Sequence, residues 1–89
     1  MFETYKINFA DIGHNDSVKR SDRLFHIQTE LHEGDTIRIK TTIFQGGGVI
    51  GAIFSNVTHS ERKSTATLSE LAKSQHDKAV MDVREGKYD

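Results

Sequence analysis

Three stretches of the chain, residues 5–9, 24–31 and 36–44, alternate apolar and polar residues, which is the pattern of half-buried β-strands. A fourth predicted strand, residues 49–57, is rich in β-branched and aromatic residues. In the second stretch, for example, Phe25, Ile27 and Thr29 share one side of the strand and polar residues share the other. Residues 10–22 are rich in Asp, Asn, Ser and Gly, so we expect a loop there.

The apolar positions of the second and third strands also predict how these strands pair across a turn at residues 32–35. A slip of one residue would place apolar side chains opposite polar ones throughout. Opposite charges attract across a strand pair, so a Glu–Arg pair on the second face supports the same register. The expected pairs are Leu31–Ile37, Thr29–Ile39, Phe25–Ile43, Glu30–Arg38 and Gln28–Lys40.

A glycine-rich run, Gly46-Gly47-Gly48-Val49-Ile50-Gly51, separates the third and fourth strands. In dinucleotide-binding proteins a GxGxxG motif opens a helix whose N-terminus meets the pyrophosphate. Here β-branched and aromatic residues without helical period follow, so we interpret the run as a hairpin turn. Its first two glycines supply the positive φ angles of a two-residue type I′ turn. The turn predicts the pairs Ile43–Ile50, Thr41–Ala52 and Ile39–Phe54.

After a polar connector at residues 58–66, apolar residues recur at spacings of three and four, which is typical of one helix face. Thr67-Leu68-Ser69-Glu70 matches a capping box, so we expect a helix from Thr67 to about Glu85. Gly86 suits the left-handed position that follows a helix end. The predicted stripe consists of Leu68, Leu71, Ala72, Gln75, Ala79, Val80 and Val83.

Together these elements predict an α+β fold, with a four-stranded antiparallel β-meander packed on one face by a C-terminal α-helix. The length of 89 residues corresponds to a single domain, residues 1–89, with one small core.

Composition and charge exclude several classes of function. The chain has 12 basic and 13 acidic residues and no cysteine, so disulfides, thiolate metal sites and cysteine nucleophiles are excluded. The balanced charge gives no reason to expect nucleic acid or an anionic membrane as a partner. No apolar run approaches the roughly 20 residues of a membrane helix, and residues 1–6 do not begin a signal peptide. We therefore expect a soluble cytoplasmic protein.

The fourth strand is apolar on both faces, which indicates an interaction surface. On the face away from the helix we expect contiguous apolar surface, which usually marks an interaction site. A strand at the edge of a meander is also open to pairing with another strand. Either the N-terminal segment or a second copy of the chain could cover this surface, so we predict a homo-oligomer or an unknown protein partner. The surface consists of Phe44, Val49, Ile53 and Val57.

A second candidate site is polar. His26, Gln28 and Glu30 point the same way from the second strand, and a His and a Glu so placed could share a metal ion or a proton. No third ligand accompanies them, and Glu30 has Arg38 as its expected partner, so a solvated strand face is the simpler interpretation. We therefore predict no cofactor, no metal ion and no catalytic residue. His76 lies one position off the centre of the helical stripe and is interpreted as a boundary residue.

Several segments resemble a family of small uncharacterised bacterial proteins. The family's aromatic-HIQTE strand, its Thr-x-Phe-x-x-Gly hairpin, its Gln-His pair in a C-terminal helix and its closing residues all have similar counterparts across roughly residues 24–89. The chain departs from the family in a longer polar segment before the first of these strands, and in Ala79-Val80-Met81, where a Met-Leu pair is expected. The family has no assigned activity, so the resemblance implies one structural unit and transfers no catalytic residue. The counterparts are Phe25-His26-Ile27-Gln28-Thr29-Glu30, Thr42-Ile43-Phe44, Gln75-His76 and Gly86-Lys87-Tyr88-Asp89.

These observations predict a small non-enzymatic protein-interaction module that self-associates through the fourth strand. The alternative is a small enzyme or ligand-binding domain that uses His26, Gln28 and Glu30. Nucleic-acid binding is a third class, and it would require one continuous patch formed by Arg38, Lys40, Arg62 and Lys63.

Overall fold

The fold is a four-stranded antiparallel sheet with one helix packed on it. The computed structural model describes residues 13–57 and 65–89, with helix side chains described from residue 67 onward. The elements are β1 (His14–Arg20), β2 (Arg23–Glu33), β3 (Ile37–Gln45), β4 (Gly48–Val57) and α1 (Thr65–Arg84). The strands lie in the order β1-β2-β3-β4. The predicted α+β class, with its meander and C-terminal helix, is therefore confirmed.

The first strand lies where the sequence predicted a loop. β1 occupies part of the segment 10–22, so the loop prediction is wrong there. The predicted strand at residues 5–9 lies outside the described residues. Val18 is the one buried residue of β1, which explains why no apolar alternation reveals this strand. Pairing with β2 holds β1 in place, with Val18 opposite Phe25.

β2 and β3 form a hairpin whose register differs by two residues from the predicted one. Leu31 pairs with Ile39 and not with Ile37. The reason is that β2 continues two residues beyond its predicted end, which leaves residues 34–36 for the loop. A shift of two residues keeps every side chain on its predicted face. The other pairs shift in the same way, with Thr29 opposite Thr41, Phe25 opposite Gln45, Glu30 opposite Lys40 and Gln28 opposite Thr42.

The glycine run forms the predicted turn between β3 and β4. Gly46 and Gly47 have φ angles of 62° and 84°, the left-handed values that glycine adopts without steric cost. Gly51 has a different role, because a Cβ atom there would lie 2.6 Å from Cε1 of Tyr88. The ring of Tyr88 therefore packs directly on the backbone of β4.

A β-bulge follows the turn and changes the orientation of β4. Phe44 faces Val49, but its neighbour Ile43 faces Gly51, so Ile50 is an extra residue in the strand. Because side chains alternate along a strand, one extra residue reverses the face of every position beyond it.

Two residues of the predicted apolar surface lie on the opposite face as a result. Ile53 faces Thr41, on the side of the sheet that carries α1, and packs against the core. Val57 is buried in the core itself. The prediction that both share a surface with Phe44 and Val49 is therefore wrong. The predicted β3–β4 pairs are each displaced by one residue, to Ile43–Gly51, Thr41–Ile53 and Ile39–Ser55.

The core lies between the sheet and α1 in two clusters, and the predicted helical stripe supplies its α1 side. One cluster consists of Leu31, Ile37, Ile39, Val57, Leu68 and Ala72. The other consists of Val18, Phe25, Ile27, Ile43, Ala79, Val80 and Val83. Along α1, Gln75 and His76 lie between the two apolar clusters.

The sequence predicted the C-terminal end of α1 correctly but not its N-terminal end. The helix begins at Thr65, so Thr67 lies inside its first turn and the capping-box prediction is wrong. At the other end Gly86 has a φ of 84°. Its N–H donates to the Val83 carbonyl, and the N–H of Lys87 donates to the carbonyl of Asp82. These two bonds form a Schellman motif, so the predicted role of Gly86 is confirmed.

Candidate functional site

The outer edge of β4 lacks most of the features that usually protect an edge strand. Within the described part of the chain β4 pairs with β3 alone, and its ten residues include no charged side chain and no proline. Natural edge strands are usually protected by charges, proline, a β-bulge or a covering element, and of these the described β4 has only the bulge at Ile50. The opposite edge strand, β1, carries Asp16, Lys19 and Arg20 within seven residues. We call the unpaired backbone side of β4 the β4 edge.

An apolar groove runs beside the β4 edge on the helix side of the sheet. The Cα atoms of α1 come within 8 Å of β1, β2 and β3 but not of β4. The gap between α1 and β4 has a volume of about 420 Å³, which lies within the range of ligand pockets. We call it the α1/β4 groove. Its apolar lining is Ile39, Ile53, Val57 and Leu71, and its polar lining is Ser55, Asn56, Ser74, Gln75 and Lys78.

The other side of the sheet, which we call the open face, is not covered by any described helix or strand. Val49 and Phe54 on this side are 62% and 50% exposed. The guanidinium of Arg38 lies 4.6 Å from the centre of the Phe54 ring, and Nζ of Lys40 lies 5.7 Å from it. Cation–π contacts therefore hold that ring. Of the predicted apolar surface, Phe44 and Val49 lie here, opposite each other across β3 and β4.

The predicted polar residues share the open face but do not converge on one point. Nδ1 of His26 lies 3.3 Å from Oγ of Ser17, whereas Oε1 of Glu30 lies 3.3 Å from Nε2 of His32. A shallow depression on this face is lined by His26 and Gln28 but not by Glu30. Among residues 13–57 and 65–89, no group of three or more His, Cys, Asp or Glu side chains could hold a metal ion.

A buried chain of polar side chains, which we call the His76 relay, lies beneath α1. His76 is 1% exposed, so its interpretation as a boundary residue is wrong. Its Nε2 lies 2.6 Å from the Asp16 carboxylate, and its Nδ1 lies 2.7 Å from Oγ1 of Thr29. Oγ1 of Thr29 lies 2.7 Å from Oγ1 of Thr41, which accepts from Nε2 of Gln75 at 3.0 Å.

All members of the His76 relay are satisfied when every donor points the same way. The amide nitrogen of Gln75 can only donate, so the Thr41 hydroxyl accepts from it. In the arrangement that uses every hydroxyl hydrogen along the chain, Thr41 donates to Thr29, Thr29 donates to Nδ1 of His76, and Nε2–H of His76 donates to Asp16. A neutral His76 then carries its ring proton on Nε2, because an ionised carboxylate can only accept.

The relay contains the groups of an acyl-transfer triad but cannot act as one. The order carboxylate, imidazole and hydroxyl is that of a nucleophilic triad. However, Thr29 is 1% exposed, so a substrate cannot reach its hydroxyl. Nε2 of Gln75 also lies 3.1 Å from the Ile39 carbonyl oxygen and 3.2 Å from the Ile53 carbonyl oxygen, so its two hydrogens are shared among these carbonyls and Thr41. The arrangement therefore connects α1 to every strand of the sheet, which is a structural role.

The sequence holds only a weak signal for this relay. His14, Asp16 and Val18 alternate along β1, so two polar side chains share the side that faces α1. The ring of His14 lies 5.3 Å from that of His76, and its Nε2 is buried without a hydrogen-bond partner among the described residues. Asp16 and His76 are 60 positions apart, so local spacing could not connect them.

The acidic neighbour of His76 belongs to a separate ion pair on the outside of α1. Nζ of Lys73 donates to the Asp77 carboxylate at 2.6 Å. This hydrogen bond lowers the pKa of Asp77 and raises the pKa of Lys73. The pair is exposed and takes no part in the relay.

Comparisons with known proteins give no further indication of function. The chain matches no protein-family model, and searches against curated proteins and solved structures find no match. The resemblance of residues 24–89 to a bacterial family therefore stays a prediction. None of the helical residues described here forms a segment long and apolar enough to cross a membrane. The function proposed for this chain rests on the geometry of the β4 edge and the α1/β4 groove.

Proposed function

We propose that this protein is a non-enzymatic interaction module that binds an extended polypeptide strand at its β4 edge. The observation that carries this proposal is the edge of β4, a strand without charge or proline, which no described strand covers. Beyond the bulge at Ile50, the N–H and C=O groups along this edge have the spacing of a β-ladder, so another extended chain is their natural partner. Addition of a strand to an exposed edge is a common mode of peptide recognition.

The α1/β4 groove supplies a site for the side chains of the added strand. Alternate residues of a strand point to the same side, so every second side chain would enter the groove beside Ile53 and Leu71. The intervening side chains would lie on the open face beside Val49 and Phe54. Because both sides of β4 are apolar, we expect the bound strand to be uncharged and apolar on both sides.

An enzymatic function has less support from the described residues. His26 and Glu30 have separate partners, and the hydroxyl of Thr29 in the His76 relay is buried. The polar groups therefore do not form a set that could act together on one substrate.

A displayed library of random peptides of ten residues, the length of β4, tests this function. We expect selection to enrich uncharged peptides with apolar residues on both sides of the strand. An excess of such a peptide should slow amide hydrogen exchange in β4, because its edge N–H groups become hydrogen-bonded. The charged edge strand β1 is the internal control and should keep its exchange rate. No enrichment, or protection of β1 in place of β4, would contradict the proposal.

A further inference from the structure

We infer that the strand bound at the β4 edge is β4 of a second copy of this chain, antiparallel to the first and related to it by a two-fold axis. This inference rests on the proposed function, because it identifies the strand that binds at the β4 edge. It doubles the four-stranded sheet into one continuous sheet. An axis perpendicular to the sheet leaves both helices on the same side of it.

The apolar side chains of β4 fit this strand to a second copy of itself. A partner strand has to present apolar side chains on both sides, whereas strands of antiparallel sheets commonly have one polar, solvated face. β4 has Val49 and Phe54 on the open face and Ile53 and Val57 on the helix side. It carries no charged side chain, so pairing with itself brings no like charges together.

The edge of β1 is a poor partner by the same criteria. Self-pairing of β1 would bring the charged side chains Asp16, Lys19 and Arg20 of both copies to the paired edge, and charges on an edge strand oppose pairing. Arg20 is moreover engaged with the Asp89 carboxylate at 2.8 Å and the Arg84 carbonyl at 2.9 Å. The difference between the two edges selects β4 as the one that pairs.

The two-fold pairing also accounts for the α1/β4 groove. The helix crosses three strands and stops short of β4, so no described residue forms a wall of the groove beyond the β4 edge. In the paired sheet the groove of the second copy lies directly across the new strand pair. The Ile53 and Leu71 side chains of both copies, which line the grooves, would then form one shared apolar layer.

Two variants that place opposite charges at the same position in the middle of β4 test this pairing. Full antiparallel overlap brings the centre of β4 close to the centre of its mate, and Ala52 is exposed near that centre. In sedimentation equilibrium we expect Ala52→Lys and Ala52→Glu each to weaken the dimer about two- to fivefold, because like charges meet across the axis. An equimolar mixture of the two variants should associate about as tightly as the wild type.

Two further variants complete the experiment. Met81→Lys places the same charge at a side chain on α1 that is 58% exposed, and it should leave the dimer unchanged. Ala52→Cys introduces the only thiol of a chain that has no cysteine, and oxidation should give a disulfide-linked dimer. If a charged residue at position 52 prevents folding, this small substitution still tests whether residue 52 of one copy lies close to residue 52 of the other.

The possible outcomes separate this inference from the proposed function. A wild-type chain that stays monomeric at every concentration overturns the second-copy inference. The proposed function then stands if uncharged peptides still protect β4, and it fails as well if they do not. A dimer that is unaffected by charge at position 52 and is not cross-linked by Ala52→Cys forms through another surface, which also overturns the inference.

Discussion

At the residue scale, His76 holds α1 on the sheet through polar contacts at the point between the two apolar clusters. Both of its ring nitrogens are bonded, to Asp16 and to Thr29. A buried polar atom that loses its partner costs about 1–3 kcal/mol. Sliding α1 along the sheet would break these bonds together, so the relay favours one position of the helix.

Removing the Thr29 hydroxyl tests the structural role of the relay. Thr29→Val preserves the shape of the side chain but leaves Nδ1 of buried His76 without a donor. We expect it to lower the free energy of unfolding, measured in urea, by about 1–3 kcal/mol.

Thr42→Val is the matched control for this measurement. Thr42 is also buried on a central strand, but its hydroxyl makes no hydrogen bond to the residues that the structure describes. Its loss should cost less than about 1 kcal/mol, because no buried partner is left unsatisfied. Equal effects of the two substitutions would show that the relay does not hold the helix.

The relay also marks what the sequence could not predict at this scale. The apolar stripe of α1 follows from spacing alone, and its members are buried or half-buried as predicted. His76 is buried against β1 and β2, where it meets Asp16 and Thr29, and β1 itself has one buried apolar residue, Val18. A polar strand facing a polar helix position leaves no periodic pattern to detect.

At the scale of elements, the size of a register difference decides whether the predicted faces of a strand are correct. The β2–β3 register differs by two residues from the predicted one, so the faces of Leu31 and Ile39 are unaffected. The bulge at Ile50 adds one residue and reverses the rest of β4. It brings Gly51 to the side where Tyr88 packs. The contact of Tyr88 with Gly51 therefore depends on the orientation that the bulge gives to β4. The sequence around β4 does not contain Tyr88 and could not reveal this contact.

The C-terminal turn of α1 gives a pH-dependent contribution to stability. The Asp82 carboxylate accepts from Lys78 at 3.1 Å and from Lys87 at 3.2 Å. These bonds lower the pKa of Asp82 below its ordinary value of 3.8. A carboxyl with a lowered folded-state pKa stabilises the fold above its unfolded pKa, and this stability is lost as the pH falls through the folded-state value.

Asp82→Asn should therefore lower the melting temperature at neutral pH and make it fall less steeply below about pH 4. Thermal unfolding followed by circular dichroism over a pH series measures both effects. Glu70→Gln, which removes an exposed carboxylate near the other end of α1, serves as the control and should keep the wild-type pH dependence. An Asp82→Asn variant with the same acid-side slope as the wild type would contradict the assigned pKa shift.

At the scale of the whole molecule, the two edges of the described sheet differ in charge and in how closely α1 approaches them. β1 carries charges, and α1 lies over its helix side. β4 is uncharged, lies beyond the reach of the helix backbone and borders the α1/β4 groove. The sequence indicated an exposed apolar fourth strand, but it placed Ile53 and Val57 on the wrong face. The binding site proposed here therefore uses the strand edge that the sequence also indicated, and not an apolar patch of four residues on the open face.

Amide hydrogen exchange at increasing protein concentration tests the central role of the β4 edge most directly. If β4 pairs with a second copy, the amides of Gly48–Val57 should exchange more slowly as the concentration rises, because dimerisation closes the edge. The amides of β1 should keep a constant rate over the same range. Exchange in β4 that stays equally fast at every concentration, or slowing that appears in β1 instead, would contradict this account.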